Sequence, residues 1–333
     1  MDNVHKQVLE VKNLSANFYT SRGLIRAADN INFNVGQSEC LAIIGESGAG
    51  KSVTALSLLR LVPHPGRIEE GEINLEGRDL LQLNPKEMRR VRGEDLALVF
   101  QDSLSTFNPV RTIGSHICET ITAHRKLSSA EARDMARCKL AEMGLPAERS
   151  FRSFPFQLSG GMRQRAALAM AMSLHPRVLI ADEATTSLDV TLQAQILHYL
   201  KKHLQECCMS LLFITHDLAA AAAVADRVAV MYAGRIVESG PVREVFRQPL
   251  HPYTSALLRS HPSFCPGRLE PINGSPPDLA DLSPGCAFSP RCLKGREICR
   301  NKVPSLQELW PEQQAACHFH QARKNDLREA AVT

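Results

Sequence analysis

Gly45-Glu46-Ser47-Gly48-Ala49-Gly50-Lys51-Ser52 decides the fold. The stretch fits G-x-x-x-x-G-K-S, a loop whose backbone N–H groups cradle phosphate. It follows the apolar run Leu41–Gly45 and opens a helical stretch over Ser52–Leu61. Strand, loop and helix in that order are the context the pattern requires. The glycines let the backbone curl around an anion, and the helix N-terminus adds its partial positive charge. Lys51 is then placed to reach the β- and γ-phosphates of a nucleotide, and Ser52 to ligate Mg²⁺.

Working outward, Leu96–Phe100, Val178–Asp182, Leu211–Thr215 and Val228–Tyr232 are short apolar runs that fit strands buried on both faces. Helical stretches lie between them at Ser129–Met143, Gly161–Leu174 and Val190–Glu206. Leu9–Phe18, Ile31–Val35 and Glu72–Glu76 read as strands of a small, mostly antiparallel layer. The order predicts an α/β P-loop core over residues 1–245, with a helical insert at about 115–160. After Phe246 the pattern changes. Nine prolines from Pro249 to Pro290 punctuate a stretch that periodicity describes poorly. Residues 246–333 therefore read as an extension held by something other than a large core, ending in a tail from about Gln321.

Further groups suit nucleotide chemistry. Val178-Leu-Ile-Ala-Asp182-Glu183 is an apolar strand ending in two acids. Asp182 is the candidate second Mg²⁺ anchor and Glu183 the candidate general base for an attacking water. Leu158-Ser159-Gly160-Gly161-Met162 places a serine and two glycines at a helix start, a second anion cradle. Because the first loop already holds one nucleotide, the second needs a phosphate from elsewhere. Two head-to-tail copies supply it, each lending its Ser159 region to the other's γ-phosphate. His216 ends the next strand within reach of a γ-phosphate, and Gln101 ends the strand before the helical insert.

This ordered set resembles the ABC ATPase family over residues of about 8 to 245: Walker A, Gln101 loop, LSGGM signature, Walker B, Ser187-Leu188-Asp189 and the His216 switch. The resemblance implies ATP as the nucleotide, Gln101 contacting Mg²⁺ or the attacking water, and Asp189 working across a dimer interface. It also implies an aromatic stacked on adenine, for which Phe18 and Tyr19 are the candidates; a core strand residue is the competing reading for either. Phe100-Gln-Asp-Ser-Leu-Ser-Thr-Phe-Asn-Pro109, Pro249-Leu-His251-Pro252-Tyr253 and the cysteines from Cys286 onward resemble, more narrowly, the dipeptide, oligopeptide and nickel permease ATPases. Ser187 stands where Ala is common and Ser289 where His is common, and neither removes a catalytic group. The implied fold is an ABC cassette with an antiparallel β subdomain, a helical subdomain and a small Cys/Pro-rich extension.

That family couples ATP hydrolysis to solute import. The implied partners are two transmembrane permease subunits, a second ATP-binding subunit (a heterodimer favoured, a homodimer possible) and, indirectly, an extracytoplasmic solute-binding protein. The solute that the resemblance implies is a peptide, with nickel, metal chelates, glutathione and sugars as alternatives. A DNA-repair ABC ATPase would need a long coiled-coil or zinc insert between Ser52 and Val178, and a translation factor would need two cassettes.

Composition agrees. The net charge of +4, from 39 basic and 35 acidic residues, is too mild to argue for nucleic acid. The apolar stretches Ala166–Leu174 and Leu218–Ala225 fall far short of the ~20 residues of a membrane span. The N-terminus lacks a secretory pattern, so the expected place is the cytoplasmic face of the membrane. Of ten cysteines, Cys286, Cys292, Cys299 and Cys317 have intervals of five, six and seventeen residues, unlike the paired knuckles of zinc sites. Four thiolates match the ligand count of a [4Fe–4S] cluster. Structural zinc, with His318 or His320, and free thiols are the competing readings.

Overall fold

The computed structural model describes residues 6–21, 23–100, 106–185, 189–265 and 267–320. They fall into two compact units, each discontinuous in sequence. One takes the residues up to Leu9, Asn34–Cys40 and Asn74–Thr215; the other takes Glu10–Phe33, Leu41–Ile73 and the residues from His216 onward.

The first unit holds three parallel strands. Leu96–Val99 pairs with Val178–Asp182, Leu96 opposite Val178, and that strand pairs in turn with Ser210–Thr215, Val178 opposite Ser210. Every residue of the last two strands is buried, which is why they read as unbroken apolar runs rather than as alternation. The helical insert consists of Ile113–His124, Ser129–Glu142 and Ala147–Arg152. The first two helices start at sequence-encoded caps. The Thr112 hydroxyl accepts from Ser115 N–H, and Ser128 and Glu131 form a reciprocal capping box. Their buried faces repeat every fourth residue: Ile113, Ile117 and Ile121 on one, Ala132, Ala136 and Leu140 on the other. Each isoleucine buried this way stabilises the insert by roughly 1.5–3 kcal/mol. A Cβ on Gly114 would lie 2.5 Å from the Phe151 ring, so only glycine lets the first and third helices approach this closely.

The second unit holds Leu41–Ile44 parallel to the strand Arg227–Tyr232. The latter turns back antiparallel into Arg235–Pro241 through Ala233 and Gly234, at φ 47° and 79°. Two consecutive left-handed residues are what a two-residue hairpin turn needs. The parts of Gly23–Gly36, Gln7–Thr20 and Gly66–Leu75 that belong to this unit lie side by side in that order.

The extension adds two short strands to the sheet. Beyond its helix Pro252–Arg259, the chain returns to the sheet as Gln313–Ala315, antiparallel to Arg235–Pro241, with Gln307–Trp310 as the next strand. Strands of three and four residues are too short to leave a periodic trace. What seals them is a buried carboxylate. Glu238, fully buried, accepts from Leu250 N–H at 2.8 Å, His251 N–H at 2.9 Å and the Gln313 side-chain amide at 2.8 Å. Among the described residues no helix is long and apolar enough to cross a membrane. The tail expected from Gln321 lies outside the described residues.

Candidate nucleotide site

The loop from Gly45 to Ser52 lies in the second unit, after the strand Cys40–Ile44 and leading into the helix Lys51–Leu58. Gly45, Gly48 and Gly50 have φ of 157°, 79° and 101°. Gly50 is the helix N-cap, and a Cβ there would stand 2.0 Å from the Ala27 carbonyl oxygen. No other residue type satisfies both the backbone angle and that approach. Lys51 is 5% exposed, and its Nζ donates to the carbonyls of Gly45 at 2.9 Å and Glu46 at 3.0 Å. The ammonium is thereby held over the loop that it would share with phosphate. The far side is braced by the hairpin, whose Gly234 N–H donates to Ala49 O at 2.9 Å.

The extension also reaches the loop. The Glu46 N–H donates to the Tyr253 hydroxyl at 3.0 Å, and the Arg291 guanidinium donates to both Glu46 carboxylate oxygens, at 2.6 and 3.0 Å. The carboxylate beside Arg291 raises the guanidinium above its ordinary value. Tyr253 is fully buried, between the rings of Tyr232 and Phe288 at 4.6 and 5.4 Å. His251 caps the helix that carries it, accepting from Tyr253 N–H through Nδ1 at 3.0 Å. Burial pushes the His251 imidazole down to about 4, so it stays neutral and keeps the lone pair that the cap needs.

The first unit carries the acids and the second cradle. Asp182 is 6% exposed at the end of its strand. Glu183 follows at φ 49°, a left-handed backbone for a residue with a full side chain, fixed by its N–H donating to Ile214 O at 2.8 Å. Such backbone strain clusters at functional positions. Ser159 is exposed and caps Gly160–Ala171, accepting from Met162 N–H at 3.3 Å, so Gly160 and Gly161 form that helix's first turn. One turn on, the fully buried Gln164 donates to Phe100 O at 3.5 Å, tying the cradle's helix to the strand that leads to Gln101. Asp189 caps Val190–Glu206 by accepting from Leu192 N–H at 2.9 Å. Gln101, Ser187 and Leu188 lie outside the described residues.

The remaining candidates are in the second unit. His216 is exposed beside Asp217, which caps Leu218–Val224. Phe18 is half-buried, with its ring within 2.6 Å of where a Cβ on Gly66 would stand. Tyr19 is 46% exposed, but its ring carries the Arg67 guanidinium at 4.6 Å and its hydroxyl donates to Glu69. Tyr19 is the more accessible of the two aromatics.

Cys286, Cys292, Cys299 and Cys317 all line one cavity of about 20 Å³, with Phe288, Phe319, Pro252 and Pro304 as apolar walls. Burial pushes the thiols of Cys286 and Cys292 up, and that of Cys317 up to about 11. Among the described residues no group of three or more His, Cys, Asp or Glu is close enough to hold a single metal ion. His318, a ligand in the zinc reading, instead turns Nε2 to the Lys302 carbonyl at 3.0 Å.

Comparisons with known proteins bear on this geometry. Residues 28–186 match the ABC transporter family, and residues 237–299 match the family described as the oligopeptide/dipeptide transporter C-terminal region. The dipeptide transport ATP-binding protein DppD of Haemophilus influenzae is 44% identical, over 93% of this chain and 95% of its own. The oligopeptide transport ATP-binding protein OppD of Bacillus subtilis is 47% identical, over 90% and 85%. This chain belongs to the ATP-binding subunits of dipeptide/oligopeptide ABC transporters. Its fold is that of the ABC cassette: the dimeric cassette MJ0796 superposes with a TM-score of 0.65 at 27% identity, over 71% of this chain and 99% of that one.

For an ABC subunit, the sequence pointed to the loop, the acids and the second cradle. It did not point to Tyr253 and Arg291 as neighbours of the loop. They lie 207 and 245 residues from Glu46, and no local pattern reports a contact at such a distance. The one available signal was the family resemblance of the His251-Pro252-Tyr253 segment, which marks the extension without saying what it touches.

Proposed function

We propose that this ABC subunit hydrolyses ATP on residues 45–52 to drive import of short peptides through a pair of permease subunits, from the cytoplasmic face of the membrane. The carrying observation is the loop itself: three glycines at left-handed φ under a buried Lys51, at the start of a helix. Lys51 and the loop N–H groups bind the β- and γ-phosphates. Ser52, Asp182 and Gln101 offer oxygen ligands, the chemistry that Mg²⁺ selects, and the ion would offset charge on the phosphates. Glu183 takes a proton from the attacking water, and His216 contacts the γ-phosphate. Ser159, Gly160, Gly161 and Asp189 complete the site of a second, similar subunit, so that hydrolysis needs a head-to-tail pair. Phe18 or Tyr19 stacks on adenine.

The peptide assignment rests on relatives named for dipeptide and oligopeptide transport. Its test is ATP-driven uptake of a labelled dipeptide into vesicles carrying this chain with its permeases and solute-binding protein. Uptake of nickel, glutathione or a sugar with no uptake of peptide would replace the solute and leave the ATPase role standing.

The extension supports a second element of the reading. Cys286, Cys292, Cys299 and Cys317 hold a [4Fe–4S] cluster of structural or regulatory role. Four thiols from four separate stretches converge on one apolar cavity, and the Nε2 of His318, which also lines it, is engaged by the Lys302 carbonyl. A cluster takes one thiolate per iron and so tolerates sulfurs spaced more widely than a single ion does.

A further inference from the structure

We infer that Arg291 and Tyr253 of the C-terminal extension are positioning residues of the nucleotide loop, fixing the Gly45–Glu46 segment in its phosphate-binding shape. The inference rests on the reading that residues 45–52 bind ATP.

Glu46 is held at three points by groups outside the sheet. Lys51 takes its carbonyl oxygen, Tyr253 accepts its N–H, and Arg291 grips its carboxylate with two parallel hydrogen bonds. Arg291 is itself oriented from other sides. Its Nε–H donates to the Asn273 carbonyl at 2.9 Å, and a terminal N–H donates to the Tyr232 hydroxyl at 3.3 Å. The arginine side chain is 6% exposed and the Glu46 side chain 22%, so the pair is largely out of water, where a bidentate ion pair is strongest.

Two consequences follow for nucleotide binding. A loop with three glycines has a broad ensemble when unrestrained, and ordering it on binding costs affinity. Anchoring Glu46 removes part of that cost in advance. Glu46 is also an anion in a loop that receives phosphates. Its pairing with Arg291 neutralises a charge that would otherwise repel the nucleotide. Tyr253 adds direction: its hydroxyl is locked by the neighbouring rings, so the plane of the Gly45–Glu46 peptide is set by a rigid group.

The test is titration of full-length protein with a fluorescent ATP analogue, alongside its thermal midpoint. Arg291→Met and Glu46→Gln are each expected to raise Kd about tenfold, the change produced by losing one charge-assisted contact. The double variant should be no weaker than either single one, because the residues act as a pair. Tyr253→Phe, which removes one oxygen atom, should raise Kd about threefold, and the reversed pair Glu46→Arg with Arg291→Glu should recover part of the loss. Wild-type affinity in Arg291→Met, or a double variant whose loss is the product of the single losses, overturns the inference. So do losses that merely track the thermal midpoint. Should Arg291→Met fail to fold, Tyr253→Phe and Glu46→Gln decide alone. Lys51→Ala separates the two levels. If it loses binding while Arg291→Met does not, the positioning role falls and the nucleotide reading stands; if it binds as wild type, both fall.

Discussion

The backbone N–H of Glu183 donates to the carbonyl of Ile214 at 2.8 Å, and this bond joins the residue after one buried strand to the neighbouring strand while Glu183 sits at φ 49°. The carboxylate's departure point is therefore fixed by the sheet rather than by a loop. A side chain held that way can serve as a base without reorganising during the reaction.

Glu183→Gln should abolish steady-state ATP turnover, by at least about 10²-fold, while ATP binding persists. Glutamine keeps the shape and the backbone bond but does not take a proton from water. The assembled transporter should accumulate in its ATP-bound form. ATP hydrolysis at the wild-type rate would remove Glu183 from the role of base.

The helical insert should dock the permeases. Val110, at its entrance, is 77% exposed, and Phe156, at its exit, is 68% exposed and stacked on Phe154 at 5.6 Å. Exposed apolar side chains at both ends of a well-packed insert suit a protein partner. Photo-crosslinkers at positions 110 and 156 should reach permease loops in the assembled complex. Crosslinks found only from the C-terminal extension would sink this assignment.

Glu238→Ala should cost about 3 kcal/mol of stability, because it leaves two buried N–H groups and a buried amide without their acceptor. The midpoint of urea unfolding, followed by circular dichroism, should fall clearly. A midpoint equal to that of the wild type would mean that the carboxylate does not seal the C-terminal strands.

Protein purified without oxygen should be brown and carry iron and acid-labile sulfide at about four per chain, the content of a [4Fe–4S] centre. Replacing Cys299 with Ser should bleach it. Colourless protein with stoichiometric zinc, or with all four thiols titratable, would decide for the competing readings.

Local chemistry made much of this legible in advance. The P-loop, the strand ending in Asp182 and the helix start at Ser159 are each encoded within a few residues, so the chain announces them. Val178–Asp182 and Val190–Glu206 fall where the apolar pattern places them. The helix Pro85–Glu94 leaves no readable apolar pattern because its surface is strongly polar, with only Met88 and Val91 buried. The strands Gln307–Trp310 and Gln313–Ala315 leave none because each is shorter than a readable period. The grip of Arg291 on Glu46 leaves none for a different reason. It joins residues 245 positions apart, and only a three-dimensional path reveals that they meet.

The order of synthesis gives that separation a further meaning. The glycine loop leaves the ribosome before Tyr253, Arg291 and the sealing Gln313. During translation the first unit can collapse on contacts that are already present, but the second must wait for its own C-terminal half. A chain broken off between Tyr253 and Arg291 would carry the whole glycine motif with the tyrosine that accepts from Glu46 but without the guanidinium that pairs its carboxylate.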